Sequence, residues 1–578
     1  MSKKSRLCEL ETEFEFNSDR SWTEYPRPQM KRKSYLSLCG EWDLSVLKNG
    51  AKTFLGKITV PYPPESRISG INRPLARNEQ YVYERKFTLP DNFNKGNVIL
   101  HFGAVDQMVE VCINGSYVGA EPYSGYLPCF FDISEHITEG ENSVMLIVTD
   151  ELNTEYPYGK QRHKRGGMWY TPISGIWQAV WLESMADDYF VSLKLTPSLD
   201  SITIETEGGK EEKTAVIHTE NGDIVHKWTG DKTVIEIPDP KLWSPENPYL
   251  YKFTLTDGVD EIRSYFALRT IDIKQKNGRS YICLNGKPYF FHGLLDQGYF
   301  SDGIYTPATP EGYEYDILTM KKLGFNMLRK HIKVEPDLFY YYCDKYGMIV
   351  FQDMVNSGKY NFMIDTALPT IGLRRGIKHH ASWLRKLHFE KGAEKTVNHL
   401  YNHPCVCYYT IFNEGWGQYD ADRIYTEMKA LDSTRIWDST SGWFKEKLSD
   451  VDSVHIYFRP VKLKARAERP LVLSEFGGYS CKIPDHSFNL DENYGYRTYN
   501  TAEEFQKGLS ELYEKEIIPA IKNGLCASVL TQVSDVEDET NGLVTYDRKV
   551  IKVDEKAMND IAVKVNTAFD ESTELLLM

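Results

Sequence analysis

The chain is predicted to fold as two β-sandwiches followed by a (β/α)8 barrel, on three observations. Its 578 residues are too many for one hydrophobic core and suggest about three or four domains. Up to about Ile273 the sequence is a succession of short β-rich runs broken by turn residues, with no helical period. After Lys274 strands and helices alternate. The expected units are 1–183, 184–273 and 274–578.

In the first unit "YVYERKFTLP" (81–90), "NVILHFGAVD" (97–106), "QMVEVCINGSYVG" (107–119) and "NSVMLIVTDE" (142–151) are strand runs, and Asn114-Gly115 marks a hairpin turn. The second unit carries "GKEEKTAVIHTENGDIVHKW" and "YLYKFTLTDG", and its size suits an immunoglobulin-like sandwich. In the third, "PEGYEYDILTMKKLG" (310–324) is a helix with Thr309 as N-cap, Pro310 at its first position and Gly324 as its stop. "EPDLFYYYCDKYG" is a helix stopped by Gly347. "TAEEFQKGLSELYEKEIIPAIKNG" (501–524) is a long helix opened by a Thr501-x-x-Glu504 capping box. Eight candidate strands fall near Tyr289, Phe325, Ile349, Val406, Ile436, Ser453, Leu471 and Ala527.

On that count Glu414, in "IFNEGWG", ends the fourth strand, and Glu475, in "LVLSEFGG", ends the seventh. A single glutamate at a strand end is usually a cap or an ion-pair partner. Two of them, at the C-terminal ends of strands that face each other across a barrel, share the cup where barrel active sites lie. Paired carboxylates there are the equipment for cleaving a glycosidic bond, one as proton donor and one as nucleophile. A separation of about 5–5.5 Å gives retention of configuration.

The segments "LCGEWDLS", "YTPISGIWQAVWLE" (170–183), "KLWSPENPYLY" (241–251), "FALRTIDIK", "LGFNMLRKHI", "FNEGWG", "LSEFGG" and "NGLVTYDRK" together resemble glycoside hydrolase family two over nearly the whole chain. That family includes β-galactosidases, β-glucuronidases and β-mannosidases. The resemblance implies a jelly-roll, sugar-binding-like domain, an immunoglobulin-like domain and a catalytic barrel. It implies Glu414 as acid/base and Glu475 as nucleophile, Asn413 as partner of the sugar 2-hydroxyl, Tyr457 as support for the nucleophile and His331 in the sugar pocket. The chain departs from the family in three places. "HGLLDQGYF" replaces an Arg-His-Glu signature after the first strand. Thr531 and Gln532 stand where a Trp is usual, and the glucuronidases' Asn-x-Lys motif is missing near Glu539-Thr540-Asn541. Asp296 and Gln297 are then the expected partners of sugar hydroxyls, and Trp416 and Trp443 either stack on a sugar face or pack the rim.

The expected activity is a retaining, exo-acting glycoside hydrolase on short oligosaccharides or glycosides, β-galactosidase-type on a neutral sugar. The alternatives are an α-L-arabinofuranosidase, β-mannosidase or β-hexuronidase, or a carbohydrate-binding protein without catalysis. The net charge of −14 argues against nucleic acid, and "MKRKS" is too short a basic run to imply it. The first residues lack an apolar signal region, and no run of about 18 apolar residues occurs, so neither export nor a membrane span is expected. Ten scattered Cys then read as the reduced thiols of a cytoplasmic protein, Cys405 and Cys407 among them as small buried residues. No cofactor or metal is expected: Asp535 and Asp538 lack ligand spacing, and His379, His380 and His388 lack an HExxH pattern and read as a solvated helix. Asp353, ending the third strand, is expected behind the residues that touch the sugar. A homo-oligomer is left open.

Overall fold

The computed structural model describes residues 5–14, 16, 22–123, 125–276, 278–370, 373, 380–466 and 468–574. The first sandwich packs a six-stranded sheet on a four-stranded one. Glu141–Thr149, at the heart of the larger sheet, alternates strictly, turning Asn142, Val144, Leu146 and Val148 inward. Strands Met108–Ile113 and Ser116–Glu121 form the hairpin that Asn114-Gly115 announces; both turn residues have positive φ, 51° and 82°. The second sandwich faces a three-stranded sheet with a four-stranded one around Phe190, Ile202, Ile217 and Phe253. Arg32 pins the two sandwiches together, pairing with Glu183 at 3.0 Å and with Asp260 at 2.8 Å.

The barrel strands are β1 (Phe291–Asp296), β2 (Met327–Lys330), β3 (Ile349–Asp353), β4 (Val406–Asn413), β5 (Ile436–Ser441), β6 (Asp452–Ile456), β7 (Leu471–Gly477) and β8 (Leu525–Thr531). They form one parallel sheet in the order β5-β4-β3-β2-β1-β8-β7-β6, and its two ends, β5 and β6, lie side by side without a ladder. Every residue of β4, β7 and β8 is buried, which is why these strands read as continuous apolar runs rather than alternating ones.

Besides a single turn at Leu368–Thr370, the α-helices among the described residues are α1 (Glu311–Lys322), α2 (Asp337–Tyr346), α3 (Trp383–Leu400), α4 (Ala421–Leu431), α5 (Ala502–Leu512), α6 (Ile518–Lys522) and α7 (Glu555–Glu574). Gly347 ends α2 with φ 72°. The long helix expected over 501–524 is divided. Thr501 caps α5, its Oγ1 accepting from Glu504 N–H at 3.2 Å, but a widened π turn at Tyr513–Ile517 separates α5 from α6. Pro519 supplies a reason: it has no N–H, and its ring would collide with the carbonyl four residues back in a regular helix. His388 also differs from expectation. It is a buried residue of α3, stacked on Tyr156 at 3.8 Å, with Nδ1 3.1 Å from Glu155 O; the sandwich covers that helix face. His380 is exposed and outside a helix, and His379 lies outside the described residues.

Among the described residues no helix is long and apolar enough to cross a membrane. All ten cysteines are free, Cys405 and Cys407 fully buried. What matters for the site is a loop of the first sandwich, 151–174, that crosses to the barrel mouth. Tyr158 N–H donates to Asn356 O at 2.9 Å, its hydroxyl donates to Gly358 O at 2.8 Å, and Thr171 N–H donates to Glu537 Oε1 at 2.9 Å.

Candidate active site

The turn after β4 aims Glu414 into the cup. Glu414 itself takes a left-handed conformation, φ 53°, its N–H donating to Ser441 O of β5 at 3.2 Å, and Gly415 follows with φ 73°. A Cβ at Gly415 would strike the Phe444 ring, so only glycine lets the chain turn here. Glu475 lies within β7, two residues before Gly477-Gly478. A side chain at Gly478 would displace Tyr496, which stacks on Tyr457 at 4.2 Å.

An oxygen of Glu414, a ring nitrogen of His455 and an oxygen of Glu475 all lie within 4.8 Å of one another. Around them the polar groups are organised by Arg329 of β2, which is fully buried. Its Nη1 donates to Glu475 Oε1 at 3.0 Å and to Ser474 O at 2.9 Å; Nε donates to Asp353 Oδ1 at 3.0 Å; Nη2 donates to Asn413 Oδ1 at 3.0 Å. Tyr457 donates to the other oxygen of Glu475 at 2.6 Å and shares a 2.8 Å hydrogen bond with Thr531. Asn413 Oδ1 also accepts from Ser441 at 2.8 Å, which fixes the amide with its oxygen toward Arg329. His331 Nδ1 lies 2.8 Å from Asp353 Oδ2, so Asp353 orients both the arginine and the histidine from behind. Burial alone would raise the Asp353 pKa, but Arg329 and His331 hold it below the usual range.

His455 lies between the two glutamates. Burial lowers its pKa to about 3, so the ring is neutral. Arg329 can only donate, and its Nη1 is 3.3 Å from His455 Nε2; the ring proton therefore sits on Nδ1. That N–H points at Glu414 Oε1, 2.8 Å away, with Glu475 Oε2 at 3.5 Å. The trio is thus a hydrogen-bonded group, with a proton rather than a lone pair facing the carboxylates. Burial raises the Glu414 pKa above the usual carboxylate range, opposed by the charges of Lys160, His331 and Arg329.

The remaining residues expected at the sugar, Asp296, Gln297, Trp416 and Trp443, are all buried. Asp296 is buried and pairs with Lys330 at 2.6 Å while accepting from Gly298 N–H at 2.9 Å; Lys330 also holds Glu335 at 2.9 Å. Asp296 is therefore one member of a closed charge network rather than the free hydroxyl partner expected from the sequence. Gln297 donates to Gln532 at 2.9 Å, Gln532 to Asn541 at 2.9 Å, and Asn541 to Glu539 at 3.4 Å, a relay of amides along the rim. Trp416 is buried against Tyr158, Trp169 and Tyr360, its indole N–H donating to Gly358 O at 2.8 Å. Trp443 is buried too, donating to Asp365 O at 3.1 Å, with its ring edge-on to His455 at 5.5 Å. Both tryptophans pack the wall. Asp535 and Asp538 already have cationic partners, Lys552 at 2.6 Å and Arg165 at 3.2 Å.

Sequence reasoning passed over Arg329, His455 and Lys160. The first two left a signal, a cation and an imidazole next to apolar residues of barrel strands. Lys160 left none, since it lies in a loop of another unit.

Three family models match the chain in order: Glycosyl hydrolases family 2, sugar binding domain, over residues 13–185; Glycosyl hydrolases family 2 over 185–269; and Glycosyl hydrolases family 2, TIM barrel domain, over 273–551. A β-galactosidase of Thermoanaerobacter pseudethanolicus is 26% identical over 69% of this chain and 54% of its own length. The chain spans about half or less of the curated relatives it matches first, 54%, 34% and 43% of their lengths. Among solved structures, a β-D-glucuronidase for Dictyoglomus thermophilum superposes with a TM-score of 0.74 at 18% identity, covering 94% of this chain and 98% of that one. A β-galacturonidase from Eisenbergiella tayi gives 0.68 at 19% identity, with coverage of 94% and 98%.

Proposed function

The chain belongs to glycosyl hydrolases family 2, and we propose that it is a retaining, exo-acting glycoside hydrolase with Glu475 as nucleophile and Glu414 as acid/base. The observation that carries this reading is the short reach between the two carboxylates, whose nearest oxygens are within 4.8 Å. That supports the closer of the two geometries used by glycosidases, which leaves no room for a water between sugar and base.

Glu475, with Arg329 and Tyr457 on its two oxygens, attacks the anomeric carbon. Glu414 gives its proton to the departing glycosidic oxygen, and its raised pKa keeps that proton available. The glycosyl group is now an ester of Glu475. Water enters where the leaving group was, Glu414 takes a proton from it, and the sugar departs with its original configuration. His455 Nδ1–H donates to Glu414 in both halves and settles which carboxyl oxygen faces the glycosidic bond. In this reading Asn413 binds the sugar 2-hydroxyl and His331 lines the sugar pocket. Exo action is supported by the sandwich loop, whose Trp169 packs on Trp416 at 5.0 Å and closes one side of the cup.

Of the two residues expected at neutral hydroxyls, Asp296 is paired with Lys330, while Gln297 donates to Gln532 and keeps its Oε1 without a partner among the described residues. The reaction is tested by following the first-formed anomer by proton NMR. Retention is expected; an inverted first product would overturn the double displacement.

A further inference from the structure

Two cations beside the cup, Lys160 and Arg162, make no ion pair among the described residues. Arg329 is paired with Glu475 and Asp353, Lys330 with Asp296 and Glu335, Lys333 with Glu335, Arg165 with Glu537 and Asp538, and Arg548 with Asp316. Lys160, among the described residues, has no ion pair. It is half-buried, on the sandwich loop, directly after Gly159. Gly159 has φ 62°, and a Cβ there would meet Ile332 O, so glycine lets this loop press against the barrel beside His331. Gln161 anchors the next position, donating to Asp106 and to Tyr126 at 2.8 Å each and accepting from Ile173 N–H at 2.7 Å.

The lysine is held over the face of Trp169, 5.6 Å from the ring centroid, and Arg162 lies over the same ring at 4.3 Å. Trp169 packs on Trp416, two residues after Glu414. The acidic groups in reach, Glu414 and Glu539, feel the charge of Lys160 but make their hydrogen bonds elsewhere, Glu539 with Tyr170 and Asn541 and Glu414 with His455. A half-buried cation held on an aromatic ring beside the catalytic carboxylates, with no ion pair among the described residues, is arranged for an anion that arrives.

We propose that Lys160, with Arg162 and Trp169, forms a subsite for a negatively charged group of the substrate, so that the enzyme selects acidic glycosides over their neutral counterparts. This rests on the glycosidase reading above. The anion has two sources, a carboxylate on the terminal sugar or one on the leaving group. Either way its binding has a second consequence. Lys160 is the strongest of the charges that pull the Glu414 pKa down. An anion on Lys160 cancels that field and lets Glu414 keep its proton to higher pH, when the proton is needed. The other groups facing Glu414 are Arg329, His331, Tyr360, Asp365, His455, Tyr457, Glu475, Tyr494 and Tyr496. Of these Asp365, raised by burial to about 7, also titrates nearby, so the comparison must be made between substrates on one enzyme.

The experiment measures kcat/KM of the full chain on matched nitrophenyl glycosides: β-galactoside against β-galacturonide, β-glucoside against β-glucuronide, and neutral glycosides whose nitrophenyl group carries a carboxylate. The acidic member of at least one pair should be preferred, and the uronide and carboxyphenyl arms say on which side of the bond the charge sits. Lys160→Met should cut the acidic-to-neutral ratio about ten- to a hundred-fold, Lys160→Arg should keep most of it, and with the preferred acidic substrate the alkaline limb of kcat should lie above that of kcat/KM. Preference for neutral substrates, or an unchanged ratio in Lys160→Met, would overturn the subsite while leaving the glycosidase reading intact. A wild-type chain inert on every substrate would overturn both.

Discussion

Glu475, in the seventh strand, is gripped on both oxygens, by Arg329 at 3.0 Å and Tyr457 at 2.6 Å, whereas Glu414, after the fourth, meets a single neutral donor, His455 at 2.8 Å. The same side chain is thus placed on one side of the cup as an aimed, charge-assisted acceptor and on the other as a group free to gain and lose a proton. The backbones differ in the same sense. Glu475 sits inside a fully buried strand, while Glu414 sits on a left-handed turn at its strand's end. Under the proposed mechanism, environment rather than residue type would divide the labour between two identical carboxyls.

The contrast can be tested by neutralising each side. Glu475→Gln should abolish turnover of every substrate, a fall of about 10⁴-fold or more in kcat, because no covalent intermediate forms. Glu414→Gln should cost about 10²–10⁴-fold on glycosides with poor leaving groups and much less on nitrophenyl glycosides. Added azide should rescue this second variant by forming a glycosyl azide. Steady-state rates across a leaving-group series check both; an identical dependence in the two variants would erase the distinction. Tyr457→Phe removes one of the two grips on Glu475 and should lower kcat about ten- to a hundred-fold with a smaller change in KM. The acid side makes a pH prediction. Glu414 is active while protonated and its pKa is raised, so kcat/KM should fall only as pH rises beyond the ordinary carboxylate range, and Glu414→Gln should lose that limb.

The smallest effect is on stability. A carboxyl whose folded pKa is raised favours the fold below its unfolded pKa and loses that contribution as pH rises through the folded value. Glu414→Gln should therefore melt slightly above wild type at neutral pH, by about 2 °C, and converge with it in acid. Scanning calorimetry at two pH values distinguishes this from a Tm offset that ignores pH.

Local pattern carried the fold a long way. Turn pairs such as Asn114-Gly115, stops such as Gly347 and alternating strand–helix runs are written in a few neighbouring residues, and all are present where the sequence places them. The π turn before Pro519 and the burial of His388 escaped, because each depends on what a carbonyl or a neighbouring sheet does in space. For Trp416 and Trp443 the sequence leaves stacking on sugar and packing of the rim equally open, and only the fold, with rings and carbonyls against them, decides for packing.

The order of residues alone placed the two glutamates at the C-terminal ends of β4 and β7, and barrel topology then puts both in one cup. Strand periodicity and strand count are properties of contiguous sequence, so this much needed no coordinates. The charges that surround the cup come from segments far apart in the chain: Arg329 from β2, His455 from β6, and Lys160 from a sandwich loop. Which cation meets which carboxylate is settled by packing between those segments. That is why Asp296, a plausible sugar ligand in sequence, pairs with Lys330, and why Lys160, unremarked in sequence, rests on Trp169 with no ion pair among the described residues. Electrostatic partnership falls steeply with distance, and distance between remote residues is a product of the tertiary fold.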